Sequence, residues 1–425
     1  MKVAFYTLGC KLNQAETESL VNDFVRAGFQ VVASDAAADI YIANTCTVTH
    51  IADRKSRHWL RLARRRNPEA ILIATGCYAH RDHQELAQLA DLVVGNQDKE
   101  NLVALTSTLL IERGERSSGR TEPCEVLPGV RVRSLVKIQD GCHRSCTYCI
   151  VPRVRPHEYS LSGLRIIDDI QQRVARGYME VVLTGTGIGS YHSDGVTLED
   201  LVRRILHDTC IERLRLSSLQ PSDISSGFLS LWEDTRLCRH FHLALQSGSA
   251  AVLNRMGRGY SPDDYHRALD LIRDRMPEAA ITTDIIVGFP GETDQESEEC
   301  YSFCCRSEFA NIHVFPFSPR PGTAAADMLE QIVDRVKQER NRRMLELSQS
   351  ARRRFCERFL ERTMQVLWEK EARPGSGIYS GLTGNYIRVF ARSERPLSNK
   401  ITPATLLEVG ARGVRADVRQ LTGHR

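Results

Sequence analysis

The stretch Cys142-His143-Arg144-Ser145-Cys146-Thr147-Tyr148-Cys149 holds three cysteines within eight residues, in a C-x3-C-x2-C spacing. One loop with this spacing can surround a single metal centre. A [4Fe-4S] cluster usually takes four thiolates, so three local ligands would leave one iron open for chemistry. Zinc is the alternative, but zinc knuckles pair C-x2-C with a second Cys/His pair, and the candidate His157 lies beyond Pro152 and Pro156. The spacing therefore favours iron–sulfur over zinc.

The composition is that of a globular, water-soluble chain. Its 425 residues are too many for one ordinary core, so two or three domains are expected. Hydrophobic residues make up 42% and charged residues 26%, and no apolar run is long enough to span a bilayer. The N-terminus enters a strand-like pattern without a basic, cleavable leader. We therefore expect a cytoplasmic protein, whose 13 cysteines serve as ligands rather than disulfides.

The N-terminal part of the chain alternates between β-rich runs and helical patterns. The runs are Val3–Leu8, Ile40–Ala43 and Ile71–Thr75, and helical patterns lie between them at Gln14–Ala27 and Ala52–Arg66. Strands that alternate with helices predict a parallel, doubly wound sheet. The fold class expected here is α/β.

A cysteine follows each of these three runs. Cys10 comes after Leu8-Gly9, Cys46 after Asn44-Thr45, and Cys77 after Thr75-Gly76. Ligands of such sheets collect beyond the carboxyl ends of the strands, so the three thiols should meet at one point. Small buried core thiols are the alternative, but the repeated placement argues against it. We expect these cysteines to form a second metal site.

The alternation resumes from Arg131 with six more expected strands. They are Leu135–Ile138, Glu180–Leu183, Leu214–Leu216, Phe241–Leu245, Thr283–Val287 and Ile312–Phe315. Six βα units predict an open, partial (β/α)6 barrel, whose chemistry would lie at the carboxyl ends of the strands. After the first strand comes the cysteine loop, and the later ends carry small polar residues such as Thr184-Gly185, Ser217-Ser218 and Gln246-Ser247-Gly248. These residues suit close approach of a zwitterionic, adenosine-bearing ligand.

The C-terminal region differs in pattern and charge. A long charged helical pattern covers Asp327–Leu360, and short β runs with glycine turns begin at Thr363. Residues 361–425 hold 11 Lys/Arg against 6 Asp/Glu, a net charge of +5, whereas the whole chain carries +4. A small basic β-barrel suits a nucleic-acid backbone, and we expect Tyr386 and Arg388 to contact RNA. A solvated basic surface is the alternative.

Between the first two regions the pattern is lost. The polar, Gly/Ser-rich stretch Arg113–Arg120 predicts a linker over residues 113–129, and Cys124 lies in it without partner spacing. The remaining cysteines lie in or beside helical patterns without metal-binding spacing, and we assign them structural roles: Cys210, Cys238, Cys300, Cys304, Cys305 and Cys356.

The stretches around the N-terminal cysteines resemble a known family. They are Thr7-Leu8-Gly9-Cys10-Lys11-Leu12-Asn13-Gln14-Ala15-Glu16-Thr17, Asn44-Thr45-Cys46-Thr47-Val48-Thr49 and Thr75-Gly76-Cys77-Tyr78-Ala79. They are similar to the methylthiotransferases, which are two-cluster radical S-adenosylmethionine (SAM) enzymes. The Gly-Cys-Lys-x-Asn-Gln form of the first motif looks most like the branch acting on N6-threonylcarbamoyladenosine in tRNA. The branches for isopentenyladenosine and for a ribosomal-protein aspartate carry other residues around that cysteine.

The resemblance covers essentially the whole chain, with one departure. The cysteine loop followed by Ile150-Val151-Pro152 looks like the radical SAM cluster loop, and Thr283–Thr293 also matches a family pattern closely. After this loop the family usually reads Tyr-x-Arg-Gly and ends in Ser-Arg, whereas this chain has Arg155-Pro156 and Ser160-Leu161. Proline cannot take a glycine-only conformation or donate an N–H, so the contacts of this loop should differ from those of the family.

The resemblance implies cofactors and the residues that hold them. One [4Fe-4S] cluster is expected on the catalytic cysteines Cys142, Cys146 and Cys149, with SAM on its open iron. A second is expected on Cys10, Cys46 and Cys77, where it would hold the sulfur that a second SAM methylates. SAM contacts are expected from Thr184, Gly185, Ser217, Gln246 and Asp284. The C-terminal barrel resembles a TRAM domain, which gives a methylthiotransferase domain at 1–112, the linker at 113–129, a radical SAM domain at 130–360 and a TRAM domain at 361–425.

The expected reaction replaces C–H by C–SCH3 at C2 of N6-threonylcarbamoyladenosine, position 37 of tRNA. An unactivated sp2 C–H is inaccessible to acid–base catalysis, so the cofactors must supply a radical. Expected partners are tRNA and an electron donor such as flavodoxin or ferredoxin, and no membrane. Three alternatives stay open: a methylthiotransferase acting on a ribosomal-protein aspartate, another radical SAM reaction with structural N-terminal cysteines, and a non-catalytic RNA-binding protein with zinc sites.

Overall fold

The computed structural model describes residues 1–114 and 132–418. Most of the expected linker 113–129, with Cys124, lies outside the described residues, as do residues 419–425. The N-terminal elements are β1 Lys2–Thr7, α1 Lys11–Arg26, β2 Gln30–Val32, β3 Ile40–Thr45, α2 His50–Arg66, β4 Ile71–Gly76, α3 Cys77–Arg81, α4 His83–Ala87, β5 Leu92–Val94 and α5 Leu102–Glu112.

The five N-terminal strands form one parallel sheet in the order β2-β1-β3-β4-β5. Apolar clusters cover both of its faces, one around Trp59 and Tyr78 and one around Phe24 and Ile73. This is the predicted doubly wound α/β sheet. The β-rich runs predicted the three central strands, whereas β2 and β5, with only three residues each, were not predicted.

The central region follows with strands that alternate with helices. Its elements are β6 Arg133–Lys137, β7 Gln139–Asp140, α6 Val151–Val154, β8 Tyr159–Ser160, α7 Gly163–Ala175, β9 Glu180–Thr184, β10 His192–Ser193, β11 Val196–Thr197, α8 Leu198–Asp208, β12 Arg213–Leu216, β13 Ser218–Leu219, α9 Ser226–Ser230, β14 His240–Leu243, α10 Ala250–Arg255, α11 Pro262–Arg275, β15 Ala280–Val287, α12 Asp294–Arg306, β16 Asn311–Pro316 and α13 Asp334–Glu357. Single 3-10 turns lie at Lys99–Asn101, Ile188–Ser190, Pro221–Asp223, Leu231–Glu233 and Ala324–Ala326.

The central strands form the wall of the predicted partial barrel. Parallel sheets β12-β9-β6 and β13-β14-β15-β16 join where Cys238, just before β14, donates its N–H to the Leu214 carbonyl at 2.9 Å. Alternate residues such as Val181, Leu183 and Phe241 belong to the large core beneath the outer helices. Because side chains alternate along a strand, their neighbours face the inside of the barrel, which we call the lumen.

Capping residues fix where the outer helices begin. Thr197, Ser261 and Thr293 each form a capping box at the start of α8, α11 and α12, respectively. Each side chain accepts the backbone N–H of the third helical residue, whose carboxylate accepts the N–H of the cap. No described helix has the length and apolar character needed to cross a membrane.

The C-terminal region is a closed five-stranded barrel. Its strands are β17 Thr363–Glu371, β18 Ile378–Thr383, β19 Arg388–Arg392, β20 Ile401–Gly410 and β21 Gly413–Asp417, joined in the order β17-β18-β19-β21-β20. It docks on the amino ends of the central strands, where Arg213 donates to the Leu382 carbonyl at 2.9 Å. The predicted fold class is confirmed in all three regions.

Candidate active site

The loop Cys142–Cys149 leaves the carboxyl side of β6, as the barrel architecture requires. Thr147 fixes it to the end of α10, because its N–H donates to the Met256 carbonyl at 3.0 Å and its Oγ1 to the Arg255 carbonyl at 2.8 Å. Arg258 Nη1 donates to Cys146 Sγ at 3.3 Å. The loop thus presents three half-buried thiols with a guanidinium beside them.

The three N-terminal cysteines meet at the carboxyl edge of their sheet. Cys10 precedes α1, Cys46 follows β3, and Cys77 begins α3 after β4. A Cβ on Gly9, whose φ is +104°, would lie 2.9 Å from Cys46 Sγ, so only glycine allows this approach. The structure therefore places the chain at Cys10 directly against Cys46.

Burial keeps the Cys46 and Cys149 thiols protonated in the absence of a cation. It raises the pKa of the Cys46 thiol to about 12, and the nearby Cys77 and Cys10 thiols act in the same direction. In the other group, burial raises the pKa of Cys149 to about 11, and Cys146 and Cys142 add to the effect. Such thiols become thiolates when a positive centre binds them. All twelve described cysteines are free, so both triplets fit the donor chemistry of an iron–sulfur cluster.

The two cysteine groups lie close together. Cys77 packs in one apolar cluster with Ile150, which follows Cys149, and with Val154. Asn96 bridges the same place, since its Nδ2 donates to the Val154 carbonyl at 2.8 Å and lies 3.7 Å from Cys77 Sγ. These contacts hold the carboxyl edge of the N-terminal sheet against the cysteine loop of the barrel.

A buried ionic cluster centred on Arg155 joins the two regions. Its Nη1 lies 2.8 Å from Glu16 Oε1 and 2.7 Å from Asp140 Oδ1, and its Nη2 donates to Asn13 Oδ1 at 3.0 Å. Although burial opposes it, Lys99 and Arg155 hold the pKa of Glu16 well below its ordinary value. The carboxylate partners of Arg155 were not predicted from the sequence. The signal available was Glu16, which lies in the first quoted motif.

The two departures from the family pattern lie next to this cluster. Pro156 is half-buried and follows Arg155 directly. Leu161 donates its N–H to the Ile138 carbonyl at 2.9 Å and packs against the large central core. Leu161 is therefore part of the barrel packing.

Four of the five expected SAM-contact residues lie at the carboxyl ends of barrel strands. Thr184 ends β9, and a Cβ on the following Gly185 would lie 2.8 Å from the Gln139 carbonyl oxygen. Gln246 takes a positive φ of +72° and exchanges backbone hydrogen bonds with β15. Ser217 Oγ is buried, as is Thr186 Oγ1, and neither has a hydrogen-bond partner among the described residues. Buried hydroxyls are normally satisfied, so this rim fits a polar ligand.

Asp284, the fifth residue, lies deeper, on the lumen side of β15. It accepts a hydrogen bond from His242 Nε2 at 3.1 Å, and His313 on β16 is its partner in register. The candidate ligand atoms of these three residues lie within 4.8 Å of one another, a donor set of the type that binds divalent metals. Neither histidine was predicted from the sequence to belong to a site.

Tyr386 closes the floor of the lumen. Its ring stacks on His240, with centroids 4.4 Å apart, and Arg215 Cζ lies 4.8 Å from the ring centroid. Although burial opposes it, Lys11 and Arg133 lower the pKa of Tyr386. Arg388, the other expected RNA contact, is ion-paired with Glu369. RNA contacts by these two residues stay a prediction.

Comparison with known proteins agrees with this architecture. Residues 2–95 match the model "Uncharacterized protein family UPF0004", and residues 136–304 match the radical SAM superfamily. A solved radical SAM methyltransferase from Kitasatospora setae matches with a TM-score of 0.56 at 15% identity, over 76% of this chain and 74% of that one. This likeness supports the fold.

Full-length relatives identify the family. The threonylcarbamoyladenosine tRNA methylthiotransferase of Aquifex aeolicus is 39% identical over 92% of this chain and 96% of its own length. A tRNA-2-methylthio-N(6)-dimethylallyladenosine synthase of Syntrophotalea carbinolica is 32% identical over 95% of this chain and 97% of its own length. The chain belongs to the methylthiotransferase family of radical SAM proteins.

Proposed function

We propose that this protein is a transferase that converts N6-threonylcarbamoyladenosine at position 37 of tRNA into its 2-methylthio derivative. The observation that carries the proposal is the packing of two three-cysteine groups against each other at the barrel mouth, through Cys77, Ile150 and Val154. A reaction that makes a radical at one group and takes sulfur from the other needs both beside one substrate atom.

The cysteines divide into two sets with different tasks. Cys142, Cys146 and Cys149 would hold the catalytic cluster, and Cys10, Cys46 and Cys77 would hold the sulfur-carrying cluster. With SAM bound and the clusters reduced, these cofactors supply a radical able to remove an aromatic hydrogen and a methylated sulfur to replace it.

The chain itself holds, orients and shields these groups. The Arg258 guanidinium donates a charged hydrogen bond to the Cys146 sulfur and so would help to orient this cluster ligand. The Ser217 and Thr186 hydroxyls have no hydrogen-bond partner among the described residues, and they would bind polar groups of SAM at the strand ends, beside Thr184, Gly185 and Gln246. The α1 helix closes one side of the barrel, where Ala15 packs on Leu135 and Val182, so water is excluded from that wall.

The partners follow from the same proposal. The substrate is tRNA, bound in part by a TRAM domain at residues 361–425 with its charge of +5. The radical SAM domain would span 130–360 and the methylthiotransferase domain 1–112. Reduction requires a donor such as flavodoxin or ferredoxin, and the protein would act in the cytoplasm.

The test is mass spectrometry of tRNA nucleosides from cells that lack the gene and carry variants of it. We expect the 2-methylthio derivative of threonylcarbamoyladenosine to be absent from cells that lack the gene. Expression of the wild type should restore it, and so should Cys210→Ala, a matched control at an exposed cysteine. Cys46→Ala and Cys146→Ala should not restore it. Unchanged tRNA with loss of a methylthio group from a ribosomal protein would instead favour the protein-directed alternative.

A further inference from the structure

Lys11 carries a charge that has no partner in the described part of the chain. It follows Cys10 directly and is the first residue of α1. The side chain is half-buried, and its ammonium has no hydrogen bond or ion pair within residues 1–114 and 132–418. Withdrawing an ammonium even partly from water is costly unless it is paired, so a lysine in this position indicates an anionic ligand.

The helix geometry directs Lys11 into the lumen. Residues four apart share one face of a helix, and Ala15 packs against Leu135 and Val182 on the inner wall of the barrel. Lys11 lies one turn closer to Cys10 on the same face. In agreement, its charge interacts with Tyr386, Arg215, Arg133 and Asp284, which all line the lumen or its floor.

The other charges around Lys11 already have partners. Arg215 Nε lies 2.8 Å from Glu180 Oε1, and Arg133 Nη2 lies 2.8 Å from Glu369 Oε1. Asp284 is bonded to His242. Among the described residues around the lumen floor, Arg215 and Arg133 are thus paired, whereas the Lys11 ammonium can still donate hydrogen bonds to a ligand.

The proposed substrate carries a matching anion at the matching place. The threonyl group on N6 of the adenine ends in a carboxylate. N6 is attached to C6, and C6 and C2 are the two ring carbons bonded to N1. A sulfur delivered to C2 from the cluster on Cys10 must therefore pass close to the N6 substituent. Lys11, the next residue after Cys10, lies at the start of this path.

We propose that Lys11 binds the carboxylate of the N6 substituent and so selects the threonylcarbamoyl group over uncharged substituents at N6. The inference rests on the proposed function, because it assumes N6-threonylcarbamoyladenosine as the substrate. An RNA phosphate is the other anion that Lys11 could bind, and the experiment separates the two.

The experiment compares two anticodon stem-loop RNAs that differ in one charge. One carries N6-threonylcarbamoyladenosine, and the other carries its methyl ester, so their phosphates are the same. Wild type, Lys11→Met, Lys11→Arg and the surface control Lys55→Met are each assayed anaerobically for kcat/KM with both RNAs. Equilibrium binding of the same RNAs is measured without reductant, which gives a readout that needs no turnover.

We expect the wild type and Lys55→Met to prefer the free acid by about 10- to 100-fold, the range for one charge-assisted hydrogen bond. Lys11→Met should reduce this acid-to-ester ratio to about one by losing activity on the acid, and Lys11→Arg should restore part of it. The ratio within one variant does not depend on its iron content, so incomplete cluster loading cannot imitate the result.

Two results would overturn the inference while the proposed function stands. One is a wild type that modifies and binds acid and ester equally well. The other is a Lys11→Met variant that weakens both RNAs by the same factor, which is the result expected for a phosphate contact. If the wild type methylthiolates neither RNA, the proposed function fails, and the binding ratio alone then decides whether Lys11 recognises the carboxylate.

Discussion

Replacing Arg155 by methionine should weaken the joint between the two regions that carry the cysteine groups and so lower the stability of the protein. Methionine keeps the length and apolar stem of the side chain but removes the guanidinium. In the wild type this guanidinium is 3% exposed and joins Glu16 of α1 to Asp140 and to Asn13. The substitution removes one of the cations that pair with the buried carboxylates of Glu16 and Asp140, at the joint between the N-terminal sheet and the barrel.

The size of the effect follows from what remains. Breaking a buried ion pair by removing one partner costs about 3–5 kcal/mol. Glu16 keeps Lys99 at 2.5 Å, and Asp140 keeps Lys137 at 2.6 Å, so the low end, about 3 kcal/mol, is expected. At 2–4 °C per kcal/mol for a domain of 150–250 residues, the Tm should fall by about 6–12 °C.

The control is Arg203→Met on α8, where the arginine is 55% exposed and pairs with Glu199 and Asp200 on the surface. Exposed pairs contribute about 0–1 kcal/mol, so its Tm should barely change. Calorimetry of the metal-free proteins under reducing conditions measures both. An Arg155→Met variant no less stable than Arg203→Met would refute the reasoning.

The pH dependence gives the same prediction a second check. The folded-state pKa of Glu16 is lowered, so ionised Glu16 adds to the free energy of unfolding above the ordinary glutamate pKa of about 4.3. This stabilisation is lost as the pH falls through the folded-state pKa. The Arg155→Met variant lacks one of the cations that lower this pKa, so it has less of this stabilisation. The Tm difference from wild type should therefore narrow as the pH falls below about 4, and a constant difference would argue against the ionic origin.

Further predictions concern the clusters and RNA binding. Anaerobic reconstitution should give about eight iron per chain, and a Cys142→Ala/Cys146→Ala/Cys149→Ala variant about half, by four per cubane; four iron in the wild type would contradict two clusters. Arg258→Met should lower the reduction potential of the catalytic cluster in a spectroscopic titration, because a cation beside Cys146 favours reduction; an unchanged potential would contradict this. Truncation before Thr363 should weaken tRNA binding and flatten its salt dependence, since the removed residues carry +5; an unchanged salt slope would place the RNA site elsewhere.

The architecture and the meeting of the cysteines could be predicted because both depend on local patterns. Strand and helix periods define the α/β class, and parallel strands bring their carboxyl ends to one edge. Cys46 and Cys77 each follow such an end directly in the structure. Short edge strands such as β2 give no comparable signal in three residues.

The charged contacts could not be predicted, because they depend on which regions dock. Arg155 meets Glu16 across 139 residues of sequence, and Tyr386 reaches His240 from a separate barrel. Neither contact corresponds to a periodic pattern in the sequence, and the sequence alone does not distinguish a buried arginine from a surface arginine. Alternation along β14 places His240 and His242 on the lumen side, but only the docked structure shows what they face.

The α1 helix explains why the N-terminal sheet and the barrel act as one site. Cys10 lies at its start, Lys11 and Ala15 face the lumen, and Glu16 binds Arg155 just after the catalytic loop. One rigid element therefore sets the position of a sulfur-carrying cysteine, the barrel wall and the joint to the other cysteine group. A shift of α1 along β6 would move Cys10, the wall contact of Ala15 and the joint at Glu16 together. The distance between the two cysteine groups therefore depends on the same packing that closes the lumen.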